Sequence, residues 1–153
     1  MKSAALYFRA GVGAAIVNDA GQVLACERSD VPGAWQLPQG GLKERESVVE
    51  AVFREVREET GIRKRDLEQL DSYPQPLAYE LPPEAWSAKT GRGQVNYWFL
   101  LRVRDARIAV DLDTGGEFRA WRWMSFEELL RVSADFRRPV YQQIFERFRR
   151  RLA

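Results

Sequence analysis

Gly40-Gly41-Leu42-Lys43-Glu44-Arg45-Glu46-Ser47-Val48-Val49-Glu50-Ala51-Val52-Phe53-Arg54-Glu55-Val56-Arg57-Glu58-Glu59-Thr60-Gly61-Ile62 is the stretch on which the reading of this chain turns. Val48, Val49, Val52, Phe53 and Val56 recur at helical spacing, and at about 100° per residue they share one arc of about 140°. The pattern predicts an amphipathic helix over Glu44 to Thr60, stopped by Gly61. Glu55, Glu58 and Glu59 stand at i, i+3 and i+4 on a neighbouring arc, beside the buried face. Two like charges about 5 Å apart repel by roughly 3 kcal/mol at an effective dielectric of 20, and a divalent cation relieves that repulsion. Glu50 and Arg54, at i and i+4, suit the plainer reading of an ion-paired surface helix. The wheel alone leaves both readings open.

The rest of the chain narrows the chemistry. Its 153 residues match one domain, 1–153, large enough for its own core. With 45% of residues hydrophobic and 30% charged, neither a disordered chain nor a membrane protein is indicated, and the formal charge of +2 is too small to establish a nucleic-acid partner. There is no His, which removes Ser-His-Asp and Cys-His nucleophilic sites and every His-ligated metal. The single Cys, Cys26, has no disulfide partner in the chain and reads as core. Any metal is therefore hard and oxygen-bound, held by carboxylates. The longest apolar run, Tyr97 to Leu101, is far short of the ~20 residues of a membrane span. Arg9 interrupts the apolar character of Met1 to Val17 where a signal peptide needs an unbroken run. The expected setting is a reducing cytoplasm, with no membrane association.

Around the decisive stretch, Val12 to Val17 and Gln22 to Arg28 read as strands joined by a turn at Asn18-Asp19-Ala20-Gly21. Trp35 to Leu37 is a short strand ended by Pro38. Leu67 to Tyr79 is extended and broken by Pro74 and Pro76, and Glu80 to Gly93 is a loop. Gln94 to Arg104 is a strand apolar on both faces. Arg107 to Val110 and Arg119 to Met124 are further expected strands. Ser125 to Glu128 has the form of a capping box opening a short helix, and Pro139 opens a last one running to Arg151. Strands outnumber helices without regular alternation, which predicts an α+β fold. Gly11-Val12-Gly13 and Gly91-Arg92-Gly93 lack the spacing of cofactor loops. Trp98, Trp121 and Trp123 read as sheet core, and Arg147, Arg149, Arg150 and Arg151 as cations complementing a helix C-terminus.

Taken whole, the opening stretch matches G-x(5)-E-x(7)-R-E-U-x-E-E-x-G-U, with U aliphatic: Gly40, Glu46, Arg54, Glu55, Val56, Glu58, Glu59, Gly61 and Ile62 fill every defined position. The chain thereby resembles the Nudix hydrolases over essentially its whole length. That resemblance implies a mixed β-sheet sandwiched between helices, and metal-dependent cleavage of a nucleoside diphosphate linked to another group. It also implies roles. Glu55, Glu58 and Glu59 would be metal ligands and general-base machinery, with Glu117 as an extra metal carboxylate and the backbone at Gly40 facing the same ion, Mg2+ or Mn2+. Glu46, Arg54 and Gly61 would be structural.

Trp35-Gln36-Leu37-Pro38-Gln39-Gly40-Gly41 is similar to the W-Q-x-P-Q-G-G segment of bacterial RNA pyrophosphohydrolases and asymmetric diadenosine tetraphosphate hydrolases. Tyr79, 17 residues beyond Ile62, fits the same branch. By this resemblance Arg9, Arg28, Gln36, Gln39, Tyr79, Gln94, Phe136 and Arg137 would bind substrate. That substrate would be a triphosphorylated RNA 5′-end or a dinucleoside polyphosphate, the latter cut to AMP and ATP. A general nucleotide or ADP-ribose pyrophosphatase and a non-catalytic nucleotide- or RNA-binding module remain the alternatives. Two positions depart from the pattern: Phe8-Arg9-Ala10-Gly11 stands where RNA-active relatives read Tyr-Arg-Pro-Asn, and Arg45 replaces a usual Gly.

Overall fold

In the computed structural model, which describes residues 7–112 and 116–152, the elements follow one another along the chain. They are β1 (Phe8–Val17), β2 (Val23–Arg28), β3 (Trp35–Gln36), β4 (Gln39–Gly41), α1 (Val48–Thr60), β5 (Leu67–Ser72), β6 (Leu77–Glu80), β7 (Gly93–Val103), β8 (Phe118–Met124), α2 (Phe126–Val132) and α3 (Arg138–Leu152). The first residues of the Met1 to Val17 stretch lie outside the described part. All eight strands join one sheet. β1 and β7 are parallel, in register from Phe8 opposite Gly93 to Val17 opposite Arg102, and the other ladders are antiparallel.

The period-two geometry of those two strands makes the layers. Val12, Ala14 and Ile16, with Phe99 and Leu101, pack against Ala51, Val52 and Val56 of α1. Ala15, Val17, Trp98 and Leu100 face the other way, onto Phe126 and Leu129 of α2 and Tyr141, Ile144, Phe145 and Phe148 of α3. The result is the expected α+β sandwich, a mixed sheet between helices. Cys26 is core. Among the described residues no helix is long and apolar enough to cross a membrane.

Several expectations are corrected. α1 begins at Val48 rather than Glu44, because Ser47 and Glu50 form a reciprocal capping box there. Just before it the chain turns through Arg45 at φ 65°, a left-handed position where the usual Gly is at ease. Val49 is exposed, so the apolar face of α1 is narrower than the five-residue arc. Arg107 to Val110 forms no strand. β5 already covers that edge of β7, and Asp105 folds the segment into a turn by accepting from Arg107 and Ile108 N–H. Trp98 is core, whereas Trp121 sits exposed on β8. The α3 arginines bind neighbours rather than only the helix end: Arg147 pairs with Asp71, Arg149 with Glu127, and Arg151 donates to Leu70 O.

Gly61 closes α1 in the left-handed conformation, φ 75°, its N–H donating to Arg57 O at 2.9 Å. A Cβ there would also press on Asp111 Cβ at 3.3 Å. Gly61→Val is expected to cost about 1–2 kcal/mol, seen as a fall of several degrees in Tm. An unchanged Tm would mean that the cap does not bear on stability.

Candidate active site

Arg54 organises the site from the middle of α1. Its Nε and Nη2 grip the two oxygens of Glu46 at 2.6 and 2.8 Å, and Nη2 also donates to Gly41 O at 2.9 Å. Glu46 in turn accepts from Lys43 N–H at 3.0 Å, so the loop between β4 and α1 is latched to the helix. The hydrogen-bonded guanidinium holds the Glu46 carboxyl down to about 2. Arg54 Nη1 reaches Glu55 Oε1 at 2.7 Å and Glu58 at 3.3 Å.

The three box glutamates then divide. Glu55 lies directly against Gly40, where a Cβ would fall 2.0–2.3 Å from its carboxyl atoms. Glu59, only 9% exposed, accepts from Gln39 N–H at 2.9 Å through Oε1, while Oε2 is buried with no partner. Burial raises the pKa of both groups. For Glu59 it stands well above the usual value, with the Glu117 and Glu55 carboxylates adding to the rise. Glu58 points to the rim, 51% exposed, beside Arg54 and Lys43. Among the described residues no three carboxylates form a ready-made ligand set. The donor chemistry nevertheless fits a hard divalent ion. An orphaned, desolvated Glu59 oxygen, an orphaned Gln39 Oε1 and clustered negative charge all call for an oxygen-seeking cation.

Of these carboxylates Glu55 opens directly onto a cleft of about 960 Å3. Arg9, lying against Gly41, and Arg28, Gln36, Gln39 and Gln94 line it together with Glu55, Glu117, Phe136 and Arg137. Arg137 is 8% exposed, stacks over Phe136 at 4.7 Å, and leaves Nε buried without a hydrogen bond. The Glu80 to Gly93 loop also lines it, contributing Leu81, Pro82, Lys89 and Thr90. Arg92 stiffens that loop by pairing with Glu80 at 2.6 Å and stacking on Trp86. Cations and carboxylates interleaved along one cleft can together hold a phosphate chain and its counter-ion.

Tyr79 is placed differently from the other substrate candidates. It is buried beneath the cleft, its hydroxyl accepting from Gln39 Nε2 at 2.7 Å and donating to Gln94 Oε1 at 2.9 Å. Its ring packs on Phe136 with centroids 5.6 Å apart. Tyr79 thus ties the aromatic end of the cleft to Gln39, whose backbone holds Glu59. Tyr79→Phe is expected to cost about 1–2 kcal/mol of stability and to slow kcat more than it changes KM. A pure KM effect would make it a substrate contact instead.

Sequence reasoning missed Asp30 and Lys89, which also line the cleft. Both sit in irregular loops whose course no periodicity encodes. Asp30, two residues past Arg28, carried the one available signal, an opposite charge close in sequence.

The architecture and the acidic helix beside a cleft lined by Arg9, Arg28, Lys89 and Arg137 are those of a metal-assisted hydrolase of phosphate chains. The chain belongs to the Nudix hydrolase family: residues 7–146 match the NUDIX domain. An RNA pyrophosphohydrolase of Cereibacter sphaeroides is 40% identical over 97% of this chain and 94% of that protein. Nudix hydrolase 25 of Arabidopsis thaliana is 33% identical over 92% of this chain and 86% of its own length. Among solved structures, an Ap4A hydrolase of C. elegans superposes with a TM-score of 0.69 at 22% identity, covering 92% of this chain and 96% of that one, a likeness of fold. Nudix hydrolases generally require divalent metal ions.

Proposed function

We propose that this chain, as a single domain over 1–153, is a pyrophosphohydrolase that removes pyrophosphate from triphosphorylated RNA 5′-ends in the cytoplasm, using Mg2+ or Mn2+. The observation that carries the reading is the pairing of Phe136 with Arg137, whose buried Nε has no partner, in the same cleft as Glu55 and Glu117. The relationship to the Cereibacter enzyme supports RNA ends as the substrate.

In this reading Glu55, Glu58, Glu59 and Glu117, with the Gly40 backbone, hold the metal. When bound, the ion neutralises phosphate charge and activates water. Arg9, Arg28 and Arg137 orient the phosphate chain, and Phe136 stacks on a base, with Gln36, Gln39 and Gln94 on the floor between them. A carboxylate of the acidic set takes the proton of the attacking water, so the reaction needs no protein nucleophile. Arg54, Glu46 and Gly61 keep the glutamates in place. Diadenosine tetraphosphate is the second substrate, because a cleft of about 960 Å3 is large enough to take more than one nucleoside with a phosphate chain.

Offering triphosphorylated RNA, diadenosine tetraphosphate and ADP-ribose side by side, with each metal, tests this. Monophosphorylated RNA and pyrophosphate should appear fastest. ADP-ribose as the preferred substrate would overturn the assignment, and binding without turnover would make the protein a reader of RNA ends.

A further inference from the structure

Of the cleft carboxylates outside the acidic helix, Asp30 makes the closest contact with a cleft cation. Asp30, in the turn after β2, chelates Arg28: Nε reaches Oδ1 at 2.8 Å and Nη2 reaches Oδ2 at 2.9 Å. The third guanidinium nitrogen, Nη1, donates to Gln36 Oε1 at 3.3 Å and lies 3.7 Å from Glu117. The fork of Arg28 is therefore filled in the way a phosphate would fill it, with two parallel N–H to oxygen bonds.

The two carboxylates of this turn differ in how firmly they are held. Glu27 accepts from Gly33 N–H at 2.8 Å and from Arg119 at 3.0 Å, and its side chain is largely buried, so it anchors the base of the turn. The Asp30 side chain is 63% exposed, and Arg28 is its side-chain ion-pair partner. It can swing into solvent while the turn stays fixed. In the same cleft Arg137 leaves Nε buried without a hydrogen bond, whereas Arg28 is already paired.

We propose that Asp30 is a displaceable internal counter-ion, occupying on Arg28 the position a substrate phosphate takes, so that binding exchanges a carboxylate for a phosphate. This rests on the reading that the cleft binds a phosphate chain. A terminal phosphate, as on a triphosphorylated RNA end or pyrophosphate, brings about −1.5 to −2 charges and three oxygens against the single charge of Asp30, so the exchange runs forward when such a group arrives. It also weakens retention of the pyrophosphate product, because Asp30 competes for the same guanidinium. Exposed ion pairs are worth little, which sets the size of this competition at about two- to fivefold in affinity.

The test compares wild type with Asp30→Asn and Asp30→Ala. Inorganic pyrophosphate binding to the metal-free proteins is measured by calorimetry, and KM on triphosphorylated RNA with metal present. Both variants should bind pyrophosphate about two- to fivefold more tightly, with KM lowered to match. Weaker or unchanged binding in both variants, in proteins of unaltered Tm, would show that Asp30 positions Arg28 or is idle, and would overturn the proposal. If wild type cleaves RNA ends while the variants bind no tighter, only the counter-ion idea fails. If none of the three binds pyrophosphate and wild type cleaves no polyphosphate, the functional reading falls and the counter-ion falls with it.

Discussion

Metal-free Glu59→Gln protein is expected to melt at a higher temperature than wild type at about pH 8, yet to hydrolyse substrate at least about 10²-fold more slowly at saturating metal. Both effects come from one carboxyl. Glu59 is buried beside Glu117 and Glu55 with one oxygen unpaired, and burial lifts its pKa well above 4.5. In the unfolded chain it ionises near its ordinary value, so between the two pKa values the native state binds more protons than the unfolded one. Stability attributable to Glu59 is then present at low pH and lost as pH rises through that interval. Glutamine is nearly isosteric and carries no charge, so the variant escapes the loss. The difference in Tm should close as the pH falls towards 4.5. Added divalent metal should raise the Tm of wild type more than that of the variant, because the ion supplies the missing counter-charge. Normal turnover in Glu59→Gln would remove this carboxylate from the chemistry, and a lower metal-free Tm would mean its buried charge is already compensated.

Gly40→Ala should cut turnover by about 10²-fold or more with a smaller effect on folding. Gly40 sits in β4 opposite Val12 of β1, a pairing any residue can make, so the backbone itself tolerates alanine. The space does not. The new methyl would lie 2.0 Å from Glu55 Cδ and 2.1–2.3 Å from its oxygens, and the carboxylate must move. Its freedom to do so is limited by the 2.7 Å bond from Arg54, which also holds Glu46 and Gly41 O. A shift of about 1 Å in a group placed for reaction is worth about 10²-fold, whereas overpacking costs about 1–3 kcal/mol of stability. Metal titration, kcat and Tm measured together separate the two. Wild-type metal affinity and turnover in a folded Gly40→Ala protein would show that Glu55 works equally well from another position.

What the sequence by itself determined here is local. The spacing of Arg54, Glu55, Glu58 and Glu59 along α1, the stop at Gly61 and the two-faced β7 all follow from the 3.6- and 2-residue periods of the backbone. The match of the box to the Nudix pattern is complete in the order of the residues alone. The absence of His likewise restricts the metal to oxygen ligands by composition. Even locally, chemistry could mislead where two signals competed: the charged run Glu44 to Glu46 continues the helical pattern, but the Ser47 and Glu50 cap starts the helix beyond it, at Val48.

Only the tertiary structure decided which side chains meet across the chain. The parallel pairing of β1 with β7 brings Arg9 opposite Gln94, and β6 pairing with β7 sets Tyr79 beside Gln94 and under the cleft. The pairing of β2 with β8 puts Glu117 within reach of Arg28. Trp98 and Trp121 look alike in sequence, and their burial differs because β7 is central while β8 is an edge strand covered on one side only. Arg107 to Val110 has the apolar content of a strand, but β5 already takes the edge of β7 beside it and Asp105 turns the segment away. Sheet order and loop course depend on contacts between residues tens of positions apart, and no nearest-neighbour pattern records them. For that reason the glutamates of the box were legible from the sequence, while the pairing of Asp30 with Arg28 in the cleft and the buried place of Tyr79 emerge only from the fold.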